Sequence, residues 1–306
     1  MPRVWRKYVV AVWMMGGSLS AAGAAHAMTP GFVFLSIDPV ARAASLGDVQ
    51  STLGGEAASL YGNPATLTQL SGRAISLNHV EWFQDFRVES AALAVPTRLG
   101  TIAAMVTGVY AGSADFVLRD QNGAEGGHFG YYDLAAQLAF GRSLGHGVSA
   151  GLGGKLIVEN IDNVNYGSVA ADLGATWATP VAGLMLGAAV VNVGPASTSS
   201  GTTIALPRTG RAGASYRRPV PAFDGSVMLA ADVESRRGDD AHVHVGAELR
   251  VHSSLVLAAG WKSGFDSQGL SLGGGVESGR IGLRYAFLPS STDLGSTHRL
   301  SLNLGL

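Results

Sequence analysis

The run HVHVGAELRVH, residues 242–252, changes face at every step. Val243, Val245, Ala247, Leu249 and Val251 fall on one side of an extended chain, while His242, His244, Gly246, Glu248, Arg250 and His252 fall on the other. Successive side chains point to opposite faces only in a β-strand, so a period of two fixes the local structure. The pattern recurs. In VSAGLGGKLIVE, Val148, Ala150, Leu152, Leu156 and Val158 oppose Ser149, Gly151, Gly153, Lys155 and Glu159. In SVMLAADVE, Val227, Leu229, Ala231 and Val233 oppose Asp232 and Glu234. RIGLRYAF sets Ile281, Leu283, Tyr285 and Phe287 against Arg280 and Arg284, and RLSLNLGL sets Leu300, Leu302, Leu304 and Leu306 against Arg299, Ser301 and Asn303.

Turn signals separate these runs near Ser71, Gly145, Pro180, Gly238 and Gly279. From Ile75 onward the chain reads as about fourteen strands of ~9–11 residues, the length of tilted membrane-spanning strands. The longer insertions at 112–129 and 194–207 read as loops on the outer side. Only 14% of residues are charged, against roughly 25% in a soluble domain, yet 47% are hydrophobic. Past the N-terminus no apolar run reaches the ~20 residues of a spanning helix. Apolar residues diluted to every second position define a transmembrane β-barrel. The soluble competitor, a β-sandwich, needs bulky core side chains where these strands carry many Gly and Ala.

The N-terminus reads as a removable targeting segment. MPRVWRK is basic, an apolar run follows, and Ala25-His26-Ala27 has the small-x-small form of a cleavage site, so residues 1–27 are expected to be a signal peptide. The chain has no cysteine, which excludes disulfides, thiolate metal sites and a lipoprotein anchor. Cleavage takes Arg3, Arg6 and Lys7 out of 21 basic residues and leaves 22 acidic ones, an acidic mature chain without a basic block. Nucleic acid is not an expected partner. The lipid bilayer is.

Residues 28–71 precede the first strand and are too helix-like for another hairpin. DPVARAASLG has Pro39 near a helix start and Gly47 past its end. GGEAASLYGNP reads as a second short helix stopped by Gly62 and Asn63-Pro64. Such a segment cannot lie irregular against lipid. It is either periplasmic or inside the barrel, whose strands occupy 72–306.

Residues 34–70, FLSIDPVARAASLGDVQSTLGGEAASLYGNPATLTQL, resemble the corresponding segment of the PorV/PorQ (UPF0164) family, part of the FadL-like group of outer-membrane proteins. The shared features are Phe34-Leu35, Ala41-Arg42-Ala43, Leu46-Gly47 and Asn63-Pro64-Ala65 after Tyr61. HVEWFQDFRVE, AADLGATW, VVNVGP, LPRTGRAGASY and LGSTHRLSL resemble later family blocks in order. Departures are Val40, where the family usually has Gly, and the terminal Leu306, where an aromatic is usual. The resemblance implies a lumen plugged by an N-terminal hatch, with Asn63, Pro64 and Ala65 as its turn and Arg42 on its helix. It leaves two roles open: passage or binding of hydrophobic or amphipathic molecules, or a secretion partner that holds cargo proteins for a type IX-like system.

Motifs for other chemistry are weak. GLGGK at 151–155 sits inside an alternating strand and lacks phosphate-loop spacing. His242, His244 and His252 share a face but no carboxylate cluster at ligand spacing accompanies them, so no metal or other cofactor is expected. No G-x-S-x-G turn marks a nucleophile, and no enzyme activity is expected. Lys155, Glu159, Asp172, Asp232, Glu234, His242, His244, Glu248, Arg250, Arg280, Arg284 and Arg299 are all expected to face the lumen. Their mixed signs suit a plugged, hydrogen-bonded interior better than an ion-selective pore.

Overall fold

The computed structural model describes residues 29–83, 86–111, 116–119, 125–162, 164–252, 254–265, 269–290 and 295–306; the expected signal peptide lies outside them. In chain order the strands begin with β1 (Thr29–Pro30), β2 (Ala74–Glu81), β3 (Phe86–Pro96), β4 (Thr101–Ala111), β5 (Phe116–Arg119) and β6 (Glu125–Phe129). There follow β7 (Tyr131–Gly145), β8 (Val148–Ile161), β9 (Val164–Ala178), β10 (Leu184–Val193), β11 (Ser197–Ser199) and β12 (Thr202–Ala205). The last are β13 (Thr209–Val220), β14 (Gly225–Arg236), β15 (Ala241–Val251), β16 (Leu255–Lys262), β17 (Leu270–Ser278), β18 (Ile281–Leu288) and β19 (Thr297–Gly305).

Among the described residues, fourteen of these strands close into a barrel, leaving out β1, β5, β6, β11 and β12. Each barrel strand pairs antiparallel with its neighbours, and the seam is β19 against β2, with Leu302 opposite Leu77 and Ser301 opposite Asn78. Closure leaves no unpaired edge, the condition for spanning lipid with strands.

The two-residue period sorts the faces. Leu138, Leu156 and Leu173 point outward and are 66%, 66% and 62% exposed, a costly surface in water and a suitable one in hydrocarbon. Tyr110 and Tyr132 ring the outside near the mouth with the longer connections, and Trp177 and Tyr216 near the mouth with the short turns, as in an aromatic girdle. Inward positions are mostly small or polar, with larger apolar side chains such as Val80, Val88, Val109 and Ile157 gathered in one cluster.

The long insertions are not plain loops. β5 and β6 form a hairpin, and β11–β12 form a sheet in which β12 pairs parallel with β1, Thr29 opposite Ile204. Ile204 and Leu206 are buried. The alternation of SGTTIALP is too short to announce a strand, and its partner lies 175 residues earlier, across a closure that only the barrel provides.

Residues 31–73 run through the lumen. The segment passes a 3-10 turn at Val33–Ser36, the helix α1 (Ala41–Ser45), and 3-10 turns at Ala57–Tyr61 and Pro64–Gln69. Asn63-Pro64 does more than stop a helix. Asn63 is the N-cap of the following turn, its side chain accepting from the Ala65 N–H at 3.0 Å, and Pro64 takes the first position, where its missing donor costs nothing. Val40, Leu46, Val49, Leu53, Leu60 and Leu67 of this segment pack on Ala92, Ala94, Ala103, Ala139, Met228 and Ala230 of the wall.

Candidate functional site

The N-terminal segment meets the inner wall at two opposite places, and each is floored by glycine. Gly141, Gly151 and Gly174 are direct cross-strand partners on β7, β8 and β9. A Cβ on Gly151 would lie 2.3 Å from the Ala65 nitrogen, and one on Gly174 1.9 Å from Asn63 Oδ1. On the other side Gly246 of β15 pairs with Gly260 of β16, and Leu46 and Gly47 sit directly on them. The glycines let backbone approach backbone across the lumen.

Wall side chains fill the remaining hydrogen-bonding capacity of the segment. Asn63 Nδ2 donates to Ser51 O at 2.6 Å within the segment and to Ala175 O of the wall at 3.2 Å. Asp232 Oδ2 accepts the N–H groups of Gln50 at 2.7 Å and Ser51 at 2.8 Å. Glu159 accepts the Phe32 N–H at 2.7 Å, and Ser301 Oγ accepts the Ala41 N–H at 2.9 Å. His244 Nδ1 lies 2.5 Å from Gly47 O. Irregular backbone at membrane depth is thus satisfied by protein.

Charges hold the same docking. Arg42 spans from Glu248, at 2.8 Å and 3.2 Å, to Gly54 O at 2.8 Å. The two-pronged contact fixes α1 to β15. Asp48 pairs with Lys262 at 2.6 Å and with Arg299 at 3.3 Å, and Arg299 also donates to Asp38 O. Burial opposes the Asp48 charge, but Lys262 and Arg299 outweigh it and hold the carboxyl well below its usual range. Asp38 has the opposite fate. Burial, with Asp48 beside it, pushes Asp38 up to about 7.

The remaining residues singled out by alternation fall as follows. Lys155 and Asp172 pair at 3.1 Å, and Lys155 donates to Asn192 at 2.6 Å. Glu234 binds Arg211 at 3.0 Å and Arg236 at 2.7 Å. Arg250 and Arg284 share Glu277. His242 stacks on Phe265 with ring centroids 4.3 Å apart and sits 3.1 Å from Asp239. No group of metal-ligating side chains occurs among the described residues. Arg280 departs from the expectation. It is exposed in the turn between β17 and β18, because the strand begins one residue later, at Ile281. Alternation also places Arg211, Arg217, Lys262 and Glu277 on the inner face, whereas Asp38, Asp48 and Gln50 lie on irregular backbone with no period to reveal them.

The docked segment has an apolar cluster toward one mouth and a vestibule toward the other. Toward the long-loop mouth Phe32, Phe34 and Leu35 fill an apolar chamber walled by Val80, Val88, Val109, Ile157, Tyr166 and Leu206. Phe32 is fully buried and holds a left-handed backbone, φ 53°. Toward the short-turn mouth a vestibule of about 740 Å³ opens below Thr52, Leu53 and Gly54.

No family model matches the chain, and no curated protein matches its sequence. Solved structures do. The chain is similar to the toluene transporter TbuX of Ralstonia pickettii, with a TM-score of 0.60 at 14% identity over 88% of this chain and 98% of that one. It is similar to the toluene transporter TodX of P. putida, with a TM-score of 0.62 at 12% identity over 88% and 98%. A FadL homologue of Pseudomonas aeruginosa gives 0.50 at 11% identity over 87% and 98%. The fold is therefore that of the FadL-like outer-membrane barrels. In outer-membrane barrels in general, short turns face the periplasm and longer loops the exterior.

Proposed function

We propose that this protein resides in the outer membrane and passes small hydrophobic or amphipathic molecules inward through a lumen closed by residues 28–71 acting as a hatch. The observation that carries this reading is the apolar chamber at the exterior mouth. Its present occupants, Phe32, Phe34 and Leu35, are side chains on an irregular segment, held through the Phe32 N–H to Glu159 and the short β1–β12 pairing. An apolar molecule of similar size that takes their place keeps the apolar walls of the chamber covered. The likeness in fold to two toluene transporters supports the same chemistry.

Uptake of labelled toluene by cells carrying the protein tests this. Cells with the protein are expected to equilibrate faster than cells without it, and Phe34→Ala, which empties part of the chamber, is expected to raise uptake further. Uptake equal to that of cells lacking the protein refutes the reading.

The finer assignment, a PorV/PorQ-type member, rests on the segment 34–70 and on the later blocks HVEWFQDFRVE, AADLGATW, VVNVGP, LPRTGRAGASY and LGSTHRLSL. That type brings the second role, a secretion partner for cargo proteins. Affinity purification from native membranes separates the two: bound apolar molecules favour passage, and stoichiometric exported proteins favour secretion. N-terminal sequencing of the same sample tests cleavage after Ala27.

A further inference from the structure

The periplasmic vestibule has a charge imbalance that the docked segment does not use. Arg42, Arg73, Arg217, Arg250, Arg280 and Arg284 line it, with Glu56 and Glu277 as the acids in the lining and Glu248 paired to three of these arginines. Among these side chains six cations face three anions. The mature sequence as a whole has the opposite sign.

These are not all solvated surface arginines. The side chain of Arg284 is 6% exposed and that of Arg42 11%. Arg42, Arg217 and Arg284 all converge on Glu248, at 2.8, 3.4 and 3.5 Å. Arg250 and Arg284 converge on Glu277. Four guanidinium groups therefore share two carboxylates inside a walled cavity. Sequestered charge without a matching counter-charge is costly, and an anion entering the cavity relieves that cost. Guanidinium forks suit tetrahedral oxyanions that accept several bonds at once. Leu53, Leu70, Met185 and Met228 line the same space, so the anion can carry an apolar or neutral substituent within the 740 Å³.

We propose that the periplasmic mouth is a binding site for a phosphate ester, seated among Arg217, Arg250, Arg280 and Arg284 with its substituent against Met185 and Met228. The phosphate can come from a phospholipid headgroup of the inner leaflet or from a soluble ester. This site lies on the far side of the docked segment from the apolar chamber, and its existence does not rest on passage of hydrophobic molecules.

The test uses the full mature chain in neutral detergent, titrated calorimetrically with glycerol 3-phosphate and, separately, with phosphatidylglycerol in mixed micelles against phosphatidylcholine. Saturable binding of one or both anionic probes is expected, weakening as salt is raised. Arg217→Gln and Arg280→Gln, both at the open side of the cavity, are each expected to weaken it about fivefold, the loss of one partly exposed charge-assisted contact. Retained heat-modifiability on gels shows that the variants still fold. Binding of glycerol 3-phosphate alone assigns a soluble ester, and binding of phosphatidylglycerol alone assigns the lipid headgroup. No saturable binding of either probe, or binding that both variants leave unchanged, overturns the proposal. Toluene uptake is expected to be unaffected by either variant, so this site and the transport reading fail independently.

Discussion

Gly151→Ala is the sharpest perturbation of the docked segment. The added Cβ would sit 2.3 Å from both the Ala65 nitrogen and the Pro64 carbonyl carbon. Both are backbone, so no side-chain rotation relieves the clash, and the Asn63–Ala65 turn has to lift by an ångström or more. Overpacking of this kind costs about 1–3 kcal/mol. Lifting the turn also breaks the Asn63 contact to Ala175 O at 3.2 Å and disturbs that to Ser51 O at 2.6 Å. Each is worth about 1 kcal/mol net. The docked state should lose about 2–4 kcal/mol, which raises the undocked population roughly 30- to 700-fold. The barrel itself should survive, because its strand ladder does not involve the turn. Gly154→Ala is the control on the same strand, since its nearest non-neighbouring atom is 4.0 Å away. The assay is thiol labelling of Thr66→Cys, a fully buried position in a chain without cysteine. Labelling should be slow in the parent and in Gly154→Ala, and much faster in Gly151→Ala. If Gly151→Ala labels no faster than the control, the turn is not seated on this glycine row and the reasoning is wrong.

Other outcomes follow from the same contacts. Arg42→Gln leaves Glu248 with only its 3.4 and 3.5 Å partners; the docked segment should lose about 2–3 kcal/mol, less than a fully broken buried pair, read as faster labelling at Thr66→Cys. Val245→Arg places a charge at mid-height of the lipid face and should cost about 2–4 kcal/mol in urea titrations of vesicle-inserted protein; no loss would mean that this face does not meet lipid. The carboxyl of Asp38, raised by burial to about 7, holds its proton in the folded state where the unfolded chain has lost it. Its contribution is therefore complete below about pH 4 and disappears as pH rises toward 7, an effect of up to about 4 kcal/mol. Asp38→Asn should flatten that part of the pH profile of docking, and an unchanged profile would assign it to another group.

The lumen-facing set shows where pattern reading ended. Alternation assigns His244 and Glu248 to the inner face but says nothing of what they meet there. Glu248 meets Arg42, 206 residues earlier, and His244 meets Gly47 O, 197 residues earlier. Arg280 shows the limit at strand ends: one residue of turn moves a side chain from the wall to the mouth. The glycines were visible as a weakness for a sandwich core, but not as a seat.

The sequence by itself determined that the chain is a barrel. The period of two, the scarcity of charge and the absence of an apolar helical run are local properties, and lipid admits strands only when closed. Tertiary structure alone decided what fills the lumen. Curling fourteen strands into a ring brings Gly151 and Gly174 under Asn63-Pro64 and gathers four arginines around two glutamates at the short-turn mouth. Those encounters depend on which strand faces which across the ring. That is set by closure and register, and no stretch of sequence carries it alone.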